Sequence, residues 1–248
     1  GSRAAEQIRH WPITRGKLVV IPRVNNPGLR EGTRYLPGEP PALRDLNRDF
    51  PKTDAPLAAK GVLAVALWKF IGEQKPDWFV DLHEGVDFHQ INSKSVGSSI
   101  IDAKGKLANA IVPKMLEAVN ATITDPKKKL VRLRYPVNGS VARAAHERLK
   151  AASMILETTK KDQPISKRTR QHRLMVNVLL NHLGMVEGSA HILVPAKFES
   201  LKIAVYDAGG VGANGPRNLD KVFFGTKVIL RRVGAIDIRA GVLDQFDL

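Results

Sequence analysis

The sequence predicts an α/β protein on the basis of three observations. Short apolar runs typical of buried strands alternate along the chain with segments whose apolar residues recur at helical spacing. The 248 residues are enough for one large α/β domain, or for one domain and part of another. Hydrophobic residues make up 43% and charged residues 25%, which excludes a disordered or fibrous chain.

The helices are predicted from apolar periodicity and from residues that begin or end a helix. Ser2 is a suitable amino-terminal cap for the first helix, and Pro12 ends it. Four further segments are helical, of which the first has a broad apolar face and the last is long and basic. The predicted helices span residues 3–11, 57–73, 106–119, 141–149 and 164–183.

Strands are predicted where the apolar runs are short and compact, as in strands buried within a parallel sheet. The predicted strands span residues 17–21, 78–82, 130–135 and 153–156. Between the first strand and the second helix, residues 25–56 are rich in proline, glycine and arginine. A loop of this length inside a compact domain is usually functional.

A second unit is predicted to begin near Leu201. A strand at 202–206, a glycine-rich turn at 207–215, a short helix and a strand at 227–232 read as the opening of a βαβ arrangement. The glycines of the turn do not match the G-x-G-x-x-G spacing of a dinucleotide site. We therefore interpret the turn as a tight connection from strand to helix.

The net charge favours acidic partners. Thirty-nine Lys and Arg against 24 Asp and Glu give +15, with a sequence pI of about 10.2. Nucleic acid, an anionic polymer or lipid, and substrates with carboxylates all fit such a charge. The basic clusters lack the interleaved aromatic residues of single-strand binders, so they are read as solvated faces. Nucleic-acid binding is therefore supported by charge alone.

Other classes are excluded by what the sequence lacks. No stretch approaches the ~18–20 apolar residues of a membrane helix, and no charged-then-apolar leader is present. Cysteine is absent, which excludes a disulfide scaffold, thiolate zinc sites and a cysteine nucleophile within these residues.

The long loop carries a cluster of arginines. Residues 44–51 contain two arginines around an amide side chain, and Arg30 and Arg34 precede them. The planar guanidinium fork suits bidentate capture of a carboxylate. The same cluster could equally be a surface loop in which the arginines pair with Asp45 and Asp49.

Two strand ends carry polar side chains. His83 lies at the carboxyl end of the strand at 78–82, where ligands bind in open α/β sheets. It is either a metal ligand or a hydrogen-bonded structural residue, and no H-E-x-x-H motif accompanies it. Glu157 follows the apolar strand at 153–156, where desolvation would raise its pKa toward that of a general base. Alone, it could also be a salt-bridged strand end.

Taken together, four motifs resemble the zinc carboxypeptidase family, and most closely its succinylglutamate desuccinylase and aspartoacylase-like branch. They occupy residues 18–28, 45–51, 81–83 and 156–158, and agree with the family in sequence and spacing. The resemblance covers about residues 1–190. It implies a zinc-carboxypeptidase-like domain with a mixed, mostly parallel sheet flanked by helices.

The resemblance implies a metal-assisted amide hydrolysis. His83 would be the third ligand of one zinc ion, and Asp45 would orient a zinc-bound histidine. Glu157 would take a proton from zinc-bound water and return it to the leaving amine. Zinc would lower the pKa of that water and polarise the carbonyl.

The resemblance also implies substrate-binding residues. Asn47 and Arg48 would bind the terminal carboxylate of the substrate. Arg34, or with less support Arg30, would stabilise the oxyanion. Tyr135, 22 residues before the catalytic glutamate, resembles a mobile tyrosine that caps the substrate.

The sequence departs from the family at the first two zinc ligands. The family supplies them from an H-x-x-E motif just before the helix that begins here near Ser2, and no such motif is present. His10 cannot replace it, because Ile13 stands three residues later. Either the two ligands lie upstream of this chain, or the chain is a non-catalytic relative. Because the chain starts inside a recognisable domain, we expect the first.

Residues 201–248 resemble the start of a class I glutamine-amidotransferase-like domain, a partial α/β unit. The likeness is carried by residues 203–207 and 237–243, with 246–247. No activity is carried over, because the segment would end before the nucleophile elbow.

The sequence as a whole predicts a zinc-dependent hydrolase that cleaves an amide bond next to a free carboxylate. Its substrate would be a peptide or an N-acyl amino acid. The alternative is a relative that binds a carboxylate-bearing ligand without cleaving it. The basic surface would steer anions or hold the protein near an acidic polymer such as a cell wall, in a periplasmic or secreted location.

Overall fold

A four-stranded sheet with helices on both faces forms the centre of the unit that contains Gly1–Ile192. The computed structural model describes residues 1–54 and 58–187, and also the backbone of three short strands between residues 201 and 239. By its internal contacts the chain divides into two units, Gly1–Ile192 and Leu193–Leu248.

Within its described residues, the first unit contains six α-helices and four strands. The helices are α1 (Ser2–Ile8), α2 (Asn26–Glu31), α3 (Val62–Gln74), α4 (Lys106–Asn120), α5 (Val141–Leu149) and α6 (Ile165–His182). The strands are β1 (Trp78–Gly85), β2 (Ser99–Asp102), β3 (Val131–Leu133) and β4 (Ala152–Thr159). Two short 3-10 turns lie at Leu46–Arg48 and Pro126–Lys128.

The sheet has the strand order β1-β4-β2-β3. β1 and β4 are parallel, as are β2 and β3, whereas β2 and β4 are antiparallel. The predicted class is therefore confirmed: an α/β fold with a mixed, mostly parallel sheet flanked by helices. In this order β1 and β4 are neighbours, and their carboxyl ends lie side by side.

The two faces of β4 pack against different helices because side chains alternate along a strand. Met154 and Leu156 are fully buried in a cluster that includes residues of α1, α4 and α6. Ile155 points to the other face, where it packs with Ala142 of α5 and Phe79 of β1. Residues at odd positions of β1 and β4 therefore share the face on the α5 side.

Most of the predicted elements are confirmed, with shifted ends. The helix predicted at 141–149 matches α5, and those at 106–119 and 164–183 match α4 and α6 within one residue at each end. The strands predicted at 78–82 and 153–156 continue further, as β1 and β4, to Gly85 and Thr159. These extensions bring His83 and Glu157 inside the regular pairing.

Four details of the prediction are wrong. Residues 17–21 form no strand, because they have no paired neighbour in the described part of the chain. β2 was not predicted, because only tertiary packing buries its two polar end residues. The first helix ends at Ile8, before the predicted Trp11, and the second begins at Val62.

The described residues of the second unit form three strands, β5 (Leu201–Tyr206), β6 (Lys227–Arg232) and β7 (Asp237–Arg239). They pair in the order β5-β6-β7, and both pairs are antiparallel. The predicted βαβ arrangement is therefore wrong, because its two strands would be parallel. The glycine-rich turn and the helix after it lie outside the described residues. The resemblance to an amidotransferase-like domain stays a prediction.

None of the helices in the described part of the chain is both long enough and apolar enough to cross a membrane.

A buried carboxylate ties β2, β3 and α4 together. Asp102 is fully buried, and its Oδ2 accepts a hydrogen bond of 2.6 Å from Arg132 Nε. Arg132 Nη2 donates to Asp102 Oδ1 at 3.1 Å and to Asn109 Oδ1 at 2.7 Å. Arg134 approaches the same carboxylate at 3.6 Å. These contacts anchor the short edge strand β3.

We predict that Asp102→Asn lowers the free energy of unfolding by about 3 kcal/mol, because it leaves the Arg132 guanidinium without its buried counter-charge. Urea unfolding of parent and variant measures the difference. Glu6→Ala is the control, since it removes an exposed i,i+3 pair with Arg9. Glu6→Ala should lower the free energy of unfolding by less than about 1 kcal/mol. Equal losses for both variants would contradict the role of Asp102.

A buried histidine joins α6 to the strand that carries Glu157. His172 is fully buried, and its Nε2 donates to the backbone oxygen of Leu156 at 3.0 Å. Burial lowers the pKa of His172 to about 3, because the charged imidazole would be desolvated. The ring is therefore neutral at physiological pH and acts as a hydrogen-bond donor.

We predict that His172 makes the fold less stable in acid. Below pH ~6.5, His172 binds a proton in the unfolded state but stays neutral in the folded state. The free energy of unfolding therefore falls as the pH falls toward 3. His172→Gln should reduce the loss of stability between pH 7 and pH 5 by about 2 kcal/mol. Urea unfolding at both pH values measures this.

The matched control is His182→Gln, at the exposed end of the same helix. It should keep the parent's pH dependence. If the two variants behave alike, His172 is not the source of the acid sensitivity.

Candidate functional site

The register of β1 and β4 places His83 directly beside Glu157. Both side chains lie on the α5 side of the sheet, and His83 Nδ1 is 3.8 Å from Glu157 Oε1. Both stand toward the carboxyl ends of their parallel strands, where open α/β sheets bind ligands. The structure thus brings together His83 and Glu157, the two polar residues that the sequence analysis identified at strand ends.

Asp81 fixes the orientation of the His83 ring. It stands two residues earlier on β1, hence on the same face, and its Oδ2 lies 2.8 Å from His83 Nε2. With the Nε2 proton donated to Asp81, a neutral His83 presents a lone pair on Nδ1. This is the arrangement in which a carboxylate supports a metal-binding histidine.

The charges around His83 determine its protonation. Burial favours the neutral ring, but the Asp81 carboxylate and then Glu157 outweigh it and raise the pKa of His83 to about 9. The two carboxylates therefore favour the charged form of the imidazole. A cation bound at Nδ1 would have to displace that proton.

Glu157 is buried at the end of β4. Burial raises its pKa to about 7, although the neighbouring His83 charge works in the opposite direction. Its Oε2 is buried and has no hydrogen-bond partner among the described residues. A carboxyl group with this pKa both accepts and releases a proton near neutral pH, as a general acid–base requires.

Arg34 and Asp45 form a bidentate pair at the edge of the site. Arg34 Nη2 donates to Asp45 Oδ1 at 3.0 Å, and Arg34 Nε donates to Oδ2 at 3.2 Å. The guanidinium is also among the charges that lower the pKa values of His83 and Glu157. Asp45 therefore orients Arg34 within electrostatic reach of both residues.

Asn47 and Arg48 differ in their surroundings. Asn47 Oδ1 accepts a hydrogen bond of 2.9 Å from the backbone N–H of Val141, which ties the long loop to the start of α5. Arg48 is exposed, and its Nη1 donates to the backbone oxygen of Asn47 at 2.8 Å. Asn47 lines the cleft that contains His83, whereas Arg48 does not.

The site opens into a cleft of about 1980 Å³. His83, Glu157, Arg34, Asp45 and Asn47 all line it. Apolar residues such as Leu18, Val20, Val80 and Leu82 line the cleft as well. The cleft therefore offers both charged and apolar surface to a ligand.

Tyr135 lies in a different depression, of about 430 Å³. Its ring packs edge-on against His146 with centroids 6.2 Å apart, and the Arg143 guanidinium lies 4.9 Å from the ring centre. It follows β3, which stands at the opposite edge of the sheet from β1. The structure does not bring Tyr135 to His83 and Glu157, so its capping role stays a prediction.

The described residues fit one position of a catalytic zinc site. Such a site normally has three protein ligands. His83, with Nδ1 available and Nε2 held by Asp81, suits one of them. No group of three or more His, Cys, Asp or Glu side chains in the described ranges is arranged to hold a metal. The remaining positions need ligands beyond those described.

The motif at residues 81–83 contains Asp81, but the sequence analysis gives Asp81 no role. Its i,i+2 spacing to His83 on a predicted strand is the signal that could have identified it, because such residues share a face of the sheet. The hydrogen bond to His83 Nε2 gives Asp81 that role.

Solved structures support the fold. The chain is similar to the product-bound Csd4 of Helicobacter pylori, a cell shape determinant, with a TM-score of 0.64 and 19% identity. That match covers 83% of this chain and 54% of the Csd4 chain. The ectoine utilization protein EutE (DoeB) of Ruegeria pomeroyi matches with a TM-score of 0.53 and 20% identity, over 76% of this chain and 54% of that one.

This chain thus spans about half the length of these solved structures. At such low identities the similarity establishes the fold alone. Among curated proteins, no sequence matches the chain.

A family model gives the more specific result. The model for the succinylglutamate desuccinylase/aspartoacylase catalytic domain matches residues 3–183, which is well over half of the chain. The matched range contains all four strands of the sheet, the polar loop and the His83–Glu157 pair. The chain therefore belongs to the succinylglutamate desuccinylase/aspartoacylase catalytic-domain family.

Proposed function

We propose that this chain carries the general base and one metal ligand of a zinc-dependent hydrolase that cleaves an amide bond next to a free carboxylate. The observation that carries the proposal is the β1–β4 register, which sets His83 Nδ1 3.8 Å from Glu157 Oε1. Membership in the family supports the reaction class. Two further ligands would come from residues outside these 248.

His83 would hold the metal through Nδ1, with its orientation fixed by Asp81. Bound zinc supplies Lewis-acid polarisation of a carbonyl and a lowered pKa for a coordinated water. This chain orients the His83 ring, because Asp81 accepts a hydrogen bond from Nε2 and so prevents the ring from rotating. A carboxylate that accepts a hydrogen bond from the ligand ring also raises the basicity of the ligand nitrogen.

Glu157 would move the proton. Its Oε1 faces His83, and its pKa of about 7 allows it to take a proton from the attacking water. The same carboxyl group would then give that proton to the leaving amine. Arg34, held by Asp45, would stabilise negative charge that develops on the amide oxygen.

The substrate would be a peptide or an N-acyl amino acid with a free carboxylate. Asn47 and Arg48 would bind that carboxylate, because an amide N–H and a guanidinium both donate to it. The net charge of +15 supports an anionic substrate. Among the structural neighbours, the mDAP-bound Csd4 is a D,L-carboxypeptidase, and another Csd4 structure holds a tripeptide.

A second candidate is a relative that binds a carboxylate-bearing ligand without cleaving it. The observation that favours it is the incomplete ligand set, since His83 alone among the described residues suits the metal. Metal content separates the two candidates, because the binding protein would need no zinc.

We predict that the 248-residue chain binds zinc weakly, and that a longer natural form which completes the ligand set binds one zinc and is active. In that form, Glu157→Gln should keep the metal, because Glu157 is not a ligand, yet reduce turnover by about 10²- to 10⁴-fold. Elemental mass spectrometry and hydrolysis of N-acyl amino acids and short peptides measure the two effects.

The matched control is Glu117→Gln, an exposed carboxylate on α4. It should leave both zinc content and turnover unchanged. Stoichiometric zinc in the 248-residue chain would show that the ligands are misassigned. Zinc without hydrolysis of any carboxylate-ended amide in the longer form would favour the binding-protein candidate.

We predict that Arg48→Lys in the active form raises KM for carboxylate-ended substrates by roughly 10- to 150-fold. The lysine keeps the charge but loses the planar fork that matches two carboxylate oxygens. Arg44→Lys is the control, because Arg44 stacks on Tyr35 at 4.3 Å instead of contacting Asn47. Steady-state kinetics with carboxylate-ended and amidated versions of one substrate measure the effect.

If Arg48→Lys treats the two substrates as the parent does, Arg48 is not the carboxylate anchor. Asn47 would then be the residue to test next.

A further inference from the structure

The side chain of Asn25 ties the start of the segment 25–35 to its end. Its Oδ1 accepts a hydrogen bond of 2.9 Å from the backbone N–H of Gly28, which caps the start of α2. Its Nδ2 donates to the backbone oxygen of Arg34 at 3.3 Å and to that of Tyr35 at 3.1 Å. Because the oxygen accepts and the nitrogen donates, one orientation of the side-chain amide satisfies all three contacts. Residues 25–35 thus form a closed loop, and Arg34 stands where it closes.

Gly28 makes this close contact possible. A Cβ added at Gly28 would lie 2.3 Å from Asn25 Nδ2 and 2.8 Å from the backbone oxygen of Tyr35. Any larger side chain would therefore force Asn25 or the 34–35 backbone to move. The backbone oxygen of Gly28 also accepts a hydrogen bond of 2.9 Å from the N–H of Thr33, which holds the two ends of the loop together.

The guanidinium of Arg34 is fixed only if its main chain is fixed as well. The Arg34 side chain is 50% exposed, and an arginine so exposed ordinarily samples many rotamers. Its two-point pairing with Asp45 restricts those rotamers. The backbone N–H of Leu36 donates to the Arg44 oxygen at 2.8 Å, which fixes the chain between Arg34 and Asp45. On the other side of Arg34, the side chain of Asn25 holds the main chain.

We propose that Asn25 is a positioning residue for Arg34, which it holds where the guanidinium reaches both Asp45 and the cleft that contains His83 and Glu157. A group that stabilises developing negative charge is effective when it is in place before the reaction. This inference rests on the proposed function, in which Arg34 stabilises charge on the amide oxygen. Asn25 acts through Arg34 and has no chemical role of its own.

The first test follows the Arg34 Nε–H by NMR in the 248-residue chain, with its signal assigned by its absence in Arg34→Gln. Asn25→Ser removes both Nδ2 donors but keeps a residue that caps a helix. The Nε proton, which is bound to Asp45 in the parent, should then exchange with water at least about tenfold faster. The matched control is Asn120→Ser, because Asn120 forms two side-chain hydrogen bonds with the Leu130 backbone at the end of α4. It should leave the Arg34 signal unchanged.

Gly28→Ala tests the same contact from the other side. The added methyl group displaces Asn25 or the 34–35 backbone and removes no polar group, so it should also accelerate exchange of the Arg34 Nε proton. The matched control is Gly72→Ala on α3, where an added Cβ meets no atom within 4 Å. Exchange at the parent rate in both Asn25→Ser and Gly28→Ala would overturn the inference.

Steady-state kinetics of the longer, active form test the catalytic consequence. Asn25→Ser should lower kcat by about tenfold and change KM by less than about twofold, because charge on the amide oxygen develops only in the transition state. Arg34→Gln should lower kcat by about 10²- to 10³-fold. The double variant should lose no more than Arg34→Gln alone, because the two residues act as a unit. A loss of stability unconnected with Arg34 would instead multiply the two effects.

The kinetic outcomes separate the two proposals. A parent-like kcat in Arg34→Gln would contradict the role of Arg34 in the proposed function, and this inference with it. A lowered kcat in Arg34→Gln together with a parent-like kcat in Asn25→Ser would overturn this inference alone. Losses that multiply in the double variant would do the same.

Discussion

The parallel pairing of β1 with β4 is the constraint on which the rest of the structure depends. It places His83 and Glu157 in register, and strand alternation then places Asp81 on the same face. A shift of one residue in this register would turn Glu157 into the apolar cluster that now contains Leu156. The fully buried Met154 and Leu156 make that shift costly, so the packing of the far face fixes the geometry of the site.

Within this geometry the charges are coupled. Asp81 and Glu157 raise the pKa of His83, while the His83 charge limits the rise that burial imposes on Glu157. The pKa of Glu157 therefore lies near 7 because the effect of burial exceeds that of the adjacent cation. Arg34 adds a second cation, and Asp45 holds it in one orientation. Because these charges interact, removal of Asp81 or Arg34 would change the pKa values of His83 and Glu157.

The sequence predicted the features that depend on local pattern. The prediction failed where a segment needs a pairing partner from elsewhere in the chain. His83 and Glu157 were identifiable because each stands near the end of an apolar run. Residues 17–21 have a strand pattern, but a strand also requires a neighbour, and the described chain offers none. The role of Tyr135 rested on its spacing to Glu157, which does not reveal strand order. β3 carries Tyr135 to the edge of the sheet opposite β1. The site roles implied by the family resemblance stay predictions.

His83 and Glu157 lie on paired neighbouring strands, so the position of one determines the position of the other. Asp81 holds the His83 ring at Nε2, which leaves Nδ1 facing Glu157 Oε1. No group of three or more His, Cys, Asp or Glu side chains among the described residues is arranged to hold a metal. The described chain therefore fixes the orientation of one imidazole and the position of the carboxyl group beside it, and the proposed hydrolysis depends on both.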